Sequence, residues 1–127
     1  FKVANNYISG TIPTSVNNSI YLMQFDVYQN KLSGTIPTQF AGLEQLDSLK
    51  LRSNGFSGTI PSLLARLPKL KEFNVDDNDF SGTIPSVLFY QGSHLRELTL
   101  ANNHFTGSIP TTVGLLEKLT TFDAGHN

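Results

Sequence analysis

Cysteine is absent from this chain of 127 residues. Its absence excludes disulfide bonds, a thiol nucleophile and cysteine-ligated zinc, and it leaves the redox compartment open. The chain also lacks an excess of charge of either sign. Its net charge is −1, so we expect no broad attraction to nucleic acid or to an anionic membrane surface. No apolar run approaches the roughly 18 residues that a membrane-spanning helix needs, and the opening residues do not resemble a secretion leader.

What the sequence does have is a repeat of 24 or 25 residues. Each copy carries an asparagine, with a glycine four residues later and a proline seven residues later. The asparagines are Asn6, Asn30, Asn54, Asn78, Asn103 and Asn127. A fixed period in this range indicates the stacked coils of a solenoid. We therefore expect one solenoid over residues 1–127 with about five coils, truncated at both ends without caps, and the uncapped ends would fray or self-associate.

Apolar residues alternate with polar ones just before each asparagine, as in Leu49-Lys50-Leu51. This alternation predicts a short strand with one buried face, and coils that run in the same direction would pair their strands in a parallel sheet. The apolar residues after each asparagine should also point inward. They are Ile8, Leu32, Phe56, Phe80 and Phe105, then Ile12, Ile36, Ile60, Ile84 and Ile109, then Val16, Phe40, Leu64, Leu88 and Val113.

The asparagine would lie among inward residues, where an unbonded amide costs about 1–3 kcal/mol, so its side chain should bond the turning backbone. The glycine would permit a positive φ, and the proline would fix a turn before the back of the coil. There, the segment Pro61 to Leu67 predicts a turn of helix or 3₁₀ helix. The one inserted residue falls within 89–94, which we place on the back, away from the sheet.

The repeat Leu-x-x-Leu-x-Leu-x-x-Asn-x-Leu-Ser-Gly-x-Ile-Pro, seen from Leu46 to Pro61, resembles the plant-type leucine-rich repeat over essentially the whole chain. The resemblance implies a right-handed superhelix of the α/β solenoid class, with a parallel sheet on the concave face, a second short sheet near the Ser-Gly segment and helical turns on the convex face. Similar proteins are mostly extracellular. They include ectodomains of receptor kinases and receptor-like proteins, and secreted inhibitors of cell-wall-degrading enzymes such as polygalacturonase.

Two outward columns should cross the concave sheet, at four and two residues before each asparagine. Aromatic and guanidinium side chains in neighbouring coils are a combination that protein interfaces favour. The candidate binding residues, called the concave patch below, are Tyr28, Arg52, Asp76, Lys50, Asp26 and Asn74. We expect them to bind a protein or peptide partner. The alternative is that Asp26 pairs with Lys50, and Arg52 with Asp76, which would leave a solvated face.

Two other groups of residues suggest reaction or metal chemistry. The acidic run 76–79 with Glu72 suggests calcium, but adjacent strand residues point to opposite faces, so we expect no metal site and no cofactor. The histidines His94, His104 and His126 share no column with a nucleophile and a carboxylate, so we expect no enzyme.

Serine and threonine also recur in two columns near the glycine. One column is Ser9, Ser33, Ser57, Ser81 and Thr106, and the other is Thr11, Thr35, Thr59, Thr83 and Ser108. A flat hydroxyl array of this kind is used by ice-binding solenoids, whereas the ordinary interpretation is hydrogen bonding with the local backbone. These columns make ice or surface binding one runner-up function, and the family resemblance implies another, the inhibition of a wall-degrading hydrolase.

Overall fold

The computed structural model describes residues 1–90 and 93–127 and shows a solenoid of stacked coils with two parallel five-stranded sheets. The strands are β1 (Ser9–Thr11), β2 (Gln24–Asp26), β3 (Lys31–Gly34), β4 (Ser48–Lys50), β5 (Gly55–Gly58), β6 (Glu72–Asn74), β7 (Asp79–Thr83), β8 (Glu97–Thr99), β9 (His104–Thr106) and β10 (Thr121–Asp123). The even-numbered strands form the concave sheet and the odd-numbered strands form the second sheet. The predicted fold class is confirmed.

The concave sheet keeps residues with the same offset from the asparagine side by side. Phe25 pairs with Leu49, Leu49 with Phe73, and Phe73 with Leu98. The apolar member of each strand therefore stacks on its equivalent in the next coil. Its outward neighbours form columns across the sheet.

The second sheet has a different register from the one expected. Thr11 lies opposite Ser33, and Thr83 lies opposite Thr106, so each strand is displaced by two residues relative to the repeat. The serine and threonine columns are therefore not two parallel rows. The displacement brings the methyl group of Thr11 against the bare Cα of Gly34, where an added Cβ would lie 2.9 Å from that methyl.

Some of these hydroxyls bond to backbone. Ser33 Oγ donates to the carbonyl of Gly10 at 3.5 Å, and Thr106 Oγ1 donates to the carbonyl of Gly82 at 3.4 Å. Both bonds run to the preceding coil. At these two positions the hydroxyl links neighbouring coils.

Short 3₁₀ turns follow the prolines on the convex side. They are Thr14–Asn18, Thr38–Gly42, Ser62–Arg66, Ser86–Leu88 and Thr111–Leu115. Proline precedes each turn in an extended conformation, as at Pro61 with φ −64° and ψ 122°. The turn predicted after Pro61 is confirmed. No helix in residues 1–90 and 93–127 is long and apolar enough to cross a bilayer.

The core is a continuous stack of buried leucine and phenylalanine side chains. The rings of Phe56, Phe80 and Phe105 lie parallel at centroid separations of 6.3 and 6.4 Å. Burying each such side chain contributes roughly 1.5–3 kcal/mol. Two residues expected to point inward are instead exposed, Ile8 at 42% and Ile109 at 52%. They belong to the first and last coils, which pack against a neighbour on one side only.

The inserted residue falls near the fourth 3₁₀ turn. Phe89 is buried there, and its ring meets that of Phe122 at 6.2 Å, so it fills space inside the coil. Tyr90 is exposed. Gln91 and Gly92, which belong to the segment where we placed the insertion, lie outside the described residues.

Candidate functional site

The repeat asparagines, called the asparagine ladder below, determine which side chains face outward. In the third coil, Nδ2 of Asn54 donates to the carbonyl of Leu51 in its own coil at 3.1 Å and to that of Val27 in the preceding coil at 3.0 Å. Oδ1 of Asn54 accepts the amide N–H of Leu32 at 3.0 Å. One side chain thus joins the end of the concave strand to the start of the second sheet across two coils, which sets the register between them.

The residue before each ladder asparagine adopts a left-handed conformation. Ser53 and Asp77, for example, both have φ 54°. A positive φ is uncommon for residues other than glycine, and it turns the chain sharply out of the strand. As a result, the side chain at this position lies at the edge of the concave sheet and does not point into the core.

Arg52 lies at the centre of the concave patch. Its guanidinium carbon lies 5.8 Å from the ring centroid of Tyr28, within the range of a cation–π interaction. Its Nε donates to Oδ2 of Asp77 at 3.0 Å. The alternative pairing of Arg52 with Asp76 does not form. The left-handed backbone at Asp77 brings its carboxylate back toward Arg52, whereas Asp76 is engaged elsewhere.

Asp76 is 9% exposed, and its Oδ1 accepts the amide N–H of Ala101 in the next coil at 2.8 Å. Burial raises the pKa of Asp76, and the Ala101 bond and the charge of Arg52 oppose the shift only in part. Asp76 is therefore a buried link between coils, with little of its side chain available to a partner.

Asp77 accepts three side-chain hydrogen bonds. Besides Arg52, Ser53 Oγ donates to its Oδ2 at 3.1 Å, and Asn102 Nδ2 donates to its Oδ1 at 2.7 Å. Burial alone would raise the pKa of Asp77, but these bonds hold it below the ordinary value. The network spans three coils and holds the guanidinium of Arg52 in place.

Lys50 pairs with Glu72, and the alternative pairing with Asp26 does not form. Its Nζ lies 2.9 Å from Oε2 of Glu72, which also accepts a bond from Ser48 Oγ at 2.9 Å. The bond to Lys50 lowers the pKa of Glu72, and the same bond raises the pKa of Lys50. Both side chains are more than a third exposed, so the pair contributes at most about 1 kcal/mol.

Asp26 and Asn74 bond their own backbone. Oδ1 of Asp26 accepts the amide N–H of Tyr28, and Oδ1 of Asn74 accepts that of Asp76, both at 3.1 Å. Such local bonds are typical of short polar side chains. Asp26 makes this local bond, and Lys50 makes its ion pair with Glu72 instead. Of the six candidates, the structure brings Tyr28 and Arg52 into contact, and it pairs Lys50 with Glu72.

Arg52 keeps hydrogen-bond donors available at the surface of the concave patch. Among the described residues, only Nε of Arg52 is engaged, so its two terminal amino groups can donate to a carboxylate in parallel. No group of three or more histidine and acidic side chains in residues 1–90 and 93–127 could hold a metal ion. His104 lies 3.7 Å from Asp79, in an exposed pair on the second sheet.

Comparison with known families identifies the fold. The sequence profile described as Leucine rich repeat matches residues 20–80, and a second profile of that description matches residues 94–116. The chain belongs to the leucine-rich repeat family. Comparison with curated proteins gives no match.

Similar solved structures are plant receptor ectodomains. The plant peptide hormone receptor RGFR1, in complex with RGF2, is 32% identical with a TM-score of 0.94 over 98% of this chain. The Arabidopsis receptor kinase HAESA, in complex with the peptide hormone IDA and the co-receptor SERK1, is 34% identical with a TM-score of 0.93, also over 98%. The ectodomain of the receptor kinase SOBIR1 from Arabidopsis thaliana is 29% identical with a TM-score of 0.91 over 99%. This leucine-rich repeat chain spans 20% of the RGFR1 chain, 21% of the HAESA chain and 67% of the SOBIR1 chain.

Sequence reasoning missed two members of the site in this leucine-rich repeat chain, Asp77 and Glu72. Strand alternation predicts that Asp77 faces away from Asp76, and the left-handed turn at Asp77 changes that direction. A signal was available, because the position before the ladder asparagine is polar in every coil. Glu72 stands six residues before its asparagine, in an outward column beside the two from which the patch was predicted.

Proposed function

We propose that this chain is part of an extracellular recognition domain, on a cell-surface receptor or a secreted protein, and that it binds a peptide or protein partner on its concave sheet without catalysing a reaction. The observation that carries the proposal is the held guanidinium of Arg52, between the Tyr28 ring and the Asp77 carboxylate. The similar receptors RGFR1 and HAESA are solved in complex with peptide hormones, which supports a peptide or protein partner.

Restraint of Arg52 favours binding. A free arginine side chain loses about 2 kcal/mol of rotamer entropy when it is fixed, and an arginine already held in place loses less of it on binding. Tyr28 offers an aromatic surface next to the guanidinium, and both residue types are enriched among the energetically dominant residues of interfaces. We therefore expect the partner to present a carboxylate to Arg52 and an apolar or aromatic group to Tyr28.

Lys50 and Glu72 form the neighbouring part of the surface. Because each neutralises the other, they should contribute specificity more than affinity. Asp26, Asn74 and Asp76 would act indirectly, by fixing the backbone beneath the contacting side chains.

The test is to select linear peptides from a displayed random library on the folded chain and to measure the affinity of the selected peptides for variants. Tyr28→Ala and Arg52→Ala should each weaken binding at least tenfold, or about 1.4 kcal/mol. Arg66→Ala is the matched control, because Arg66 is an exposed arginine on the convex turn Ser62–Arg66. Selected peptides that lose affinity with Arg66→Ala but not with Arg52→Ala would refute the concave site.

A further inference from the structure

We infer that the peptide partner carries a basic side chain as well as a carboxylate, and that this basic side chain binds Glu97 and Thr99 on the concave sheet. These two residues, called the β8 subsite below, lie on the outward side of strand β8, with the buried Leu98 between them. The inference rests on the proposed function, because the same partner would contact Arg52 and the β8 subsite together.

The carboxylate of Glu97 has no cation to neutralise it. Glu97 is half-buried and lies directly opposite Glu72 in the sheet, so the two like charges repel. Lys50 neutralises Glu72, and Glu97 forms no ion pair within the described residues. The pKa of Lys50 is raised chiefly by its bond to Glu72 and further by the charge of Glu97, as expected if Glu97 faces the concave side.

The surroundings of Glu97 are also acidic. Asp123 lies opposite Thr99 in strand β10, and Asp76 lies in the preceding coil. Arg52 is engaged by Asp77, so its charge is not spent on Asp76. This part of the concave sheet therefore has excess negative charge, which favours a cationic group from the partner.

The hydroxyl of Thr99 gives a second, independent indication of a ligand. Thr99 is 7% exposed, and its Oγ1 is buried without a hydrogen-bond partner. Burial raises the pKa of Asp76, and the nearby Thr99 hydroxyl opposes that rise from a position that leaves Oγ1 unbonded. Strand β8 pairs with β6 on one side and β10 on the other, so the coils on both sides of Thr99 are present. Buried polar atoms almost always have a partner, and on a binding face this exception favours a bond that a ligand supplies.

The β8 subsite suits an ammonium or guanidinium group. Within the part of the chain that the structure describes, no three acidic or histidine side chains could hold a metal ion. A carboxylate and a hydroxyl are both acceptors, and lysine and arginine side chains carry several N–H donors for them. Ala101 and Gly125 occupy the column in which earlier coils have Tyr28 and Arg52, so no bulky residue of that column stands beside the subsite.

The positions of Arg52 and Glu97 set the spacing between the two charges of the partner. The residues are two coils apart, or about 10 Å across the sheet, and their offsets in the repeat differ by four residues, or about 13 Å along the strands. The diagonal is about 16 Å, which an extended peptide spans in about five residues. We therefore expect the peptide to cross the sheet obliquely, with its charges in one fixed order.

The experiment uses linear peptides selected from a displayed random library on the folded chain. We expect the selected peptides to share an acidic and a basic residue about five positions apart. Glu97→Gln should weaken their binding at least about tenfold, and Thr99→Val at least about threefold. The matched control is Glu117→Gln, because Glu117 is an exposed glutamate just after the convex turn Thr111–Leu115, and it should leave binding unchanged. Replacing the basic residue of the peptide by norleucine should weaken binding to the wild-type chain but not to Glu97→Gln.

The outcomes separate this inference from the proposed function. Peptides that lose affinity with Arg52→Ala but not with Glu97→Gln would overturn the inference and leave the proposed function intact. Peptides that respond to Glu97→Gln but not to Arg52→Ala would overturn the Arg52 anchor instead, and peptides that respond to neither would overturn both.

Thr99→Val also distinguishes binding from a structural role. Because Oγ1 has no partner in the free chain, its removal should not lower the free energy of unfolding while it weakens peptide binding. Unchanged peptide binding in Thr99→Val would overturn the role of this hydroxyl in the β8 subsite.

Discussion

Replacing Asn78 by alanine should lower the free energy of unfolding by about 2–4 kcal/mol. The side chain is buried, and Nδ2 donates to the carbonyls of Leu51, Val75 and Asp76 at 3.0–3.1 Å while Oδ1 accepts the N–H of Phe56 at 3.0 Å. The three carbonyls each keep another donor after the substitution. The buried N–H of Phe56 is left without a partner, which costs about 1–3 kcal/mol, and the remainder is the net worth of the lost bonds to the carbonyls.

The measurement is urea unfolding followed by far-ultraviolet circular dichroism, with free energies from linear extrapolation. Asn6→Ala is the matched control. Asn6 is exposed and donates only to the carbonyls of Val3 and Ala4 in its own coil, so its loss should cost under about 1 kcal/mol. Equal losses for Asn6→Ala and Asn78→Ala, or a loss below about 0.5 kcal/mol for the latter, would refute the reasoning.

Three further predictions use the same unfolding measurement. Gly58→Ala should cost about 2–4 kcal/mol, because φ is +80° and the new Cβ would lie 2.9 Å from the Thr35 methyl. Gly10→Ala has φ +100° and open space around the new Cβ, so it should cost only the backbone strain of about 1–2 kcal/mol. Equal costs for the two substitutions would count against the clash with Thr35. Asp77→Asn should cost about 0.5–1 kcal/mol at pH 7, because hydrogen bonds lower the folded-state pKa of Asp77 and its side chain is 35% exposed. This contribution to stability is present above the unfolded-state pKa of about 3.9 and is lost as pH falls through the folded-state pKa. A stability difference between wild type and Asp77→Asn that persists at pH 2 would contradict it. Phe80→Ala should cost about 3–5 kcal/mol because the ring is fully buried between its stacked neighbours, and a cost under about 1 kcal/mol would mean that the stack is not the core.

The concave sheet could be predicted from the sequence because its register follows the repeat directly. A spacing of 24 or 25 residues brings Phe25, Leu49 and Phe73 together, and the outward columns follow from strand alternation. The repeat period alone therefore places Tyr28 next to Arg52 in the neighbouring coil. The second sheet could not be placed in this way, because its register is displaced by two residues relative to the repeat, which sets a threonine methyl against the next glycine, as at Thr11 and Gly34.

The same reasoning could not identify which charged residues pair with one another in the concave patch. Column neighbours predict pairs between Arg52 and Asp76 and between Lys50 and Asp26, but local geometry overrides both. Asp76 and Asp26 each accept a backbone N–H, and Arg52 reaches Asp77 at the left-handed turn. Offsets along a repeat identify which side chains share a face, whereas the choice among nearby charges depends on backbone dihedrals and on competing backbone donors.

The most direct test of this account is the hydrogen-exchange rate of the asparagine side-chain amides, measured by nuclear magnetic resonance on the native chain. If the ladder amides link the coils, the Nδ2 protons of Asn54, Asn78 and Asn103 should exchange far more slowly than those of Asn17 on the convex turn. Exchange at the same rate for all four would mean that the ladder does not set the register from which the outward residues were assigned.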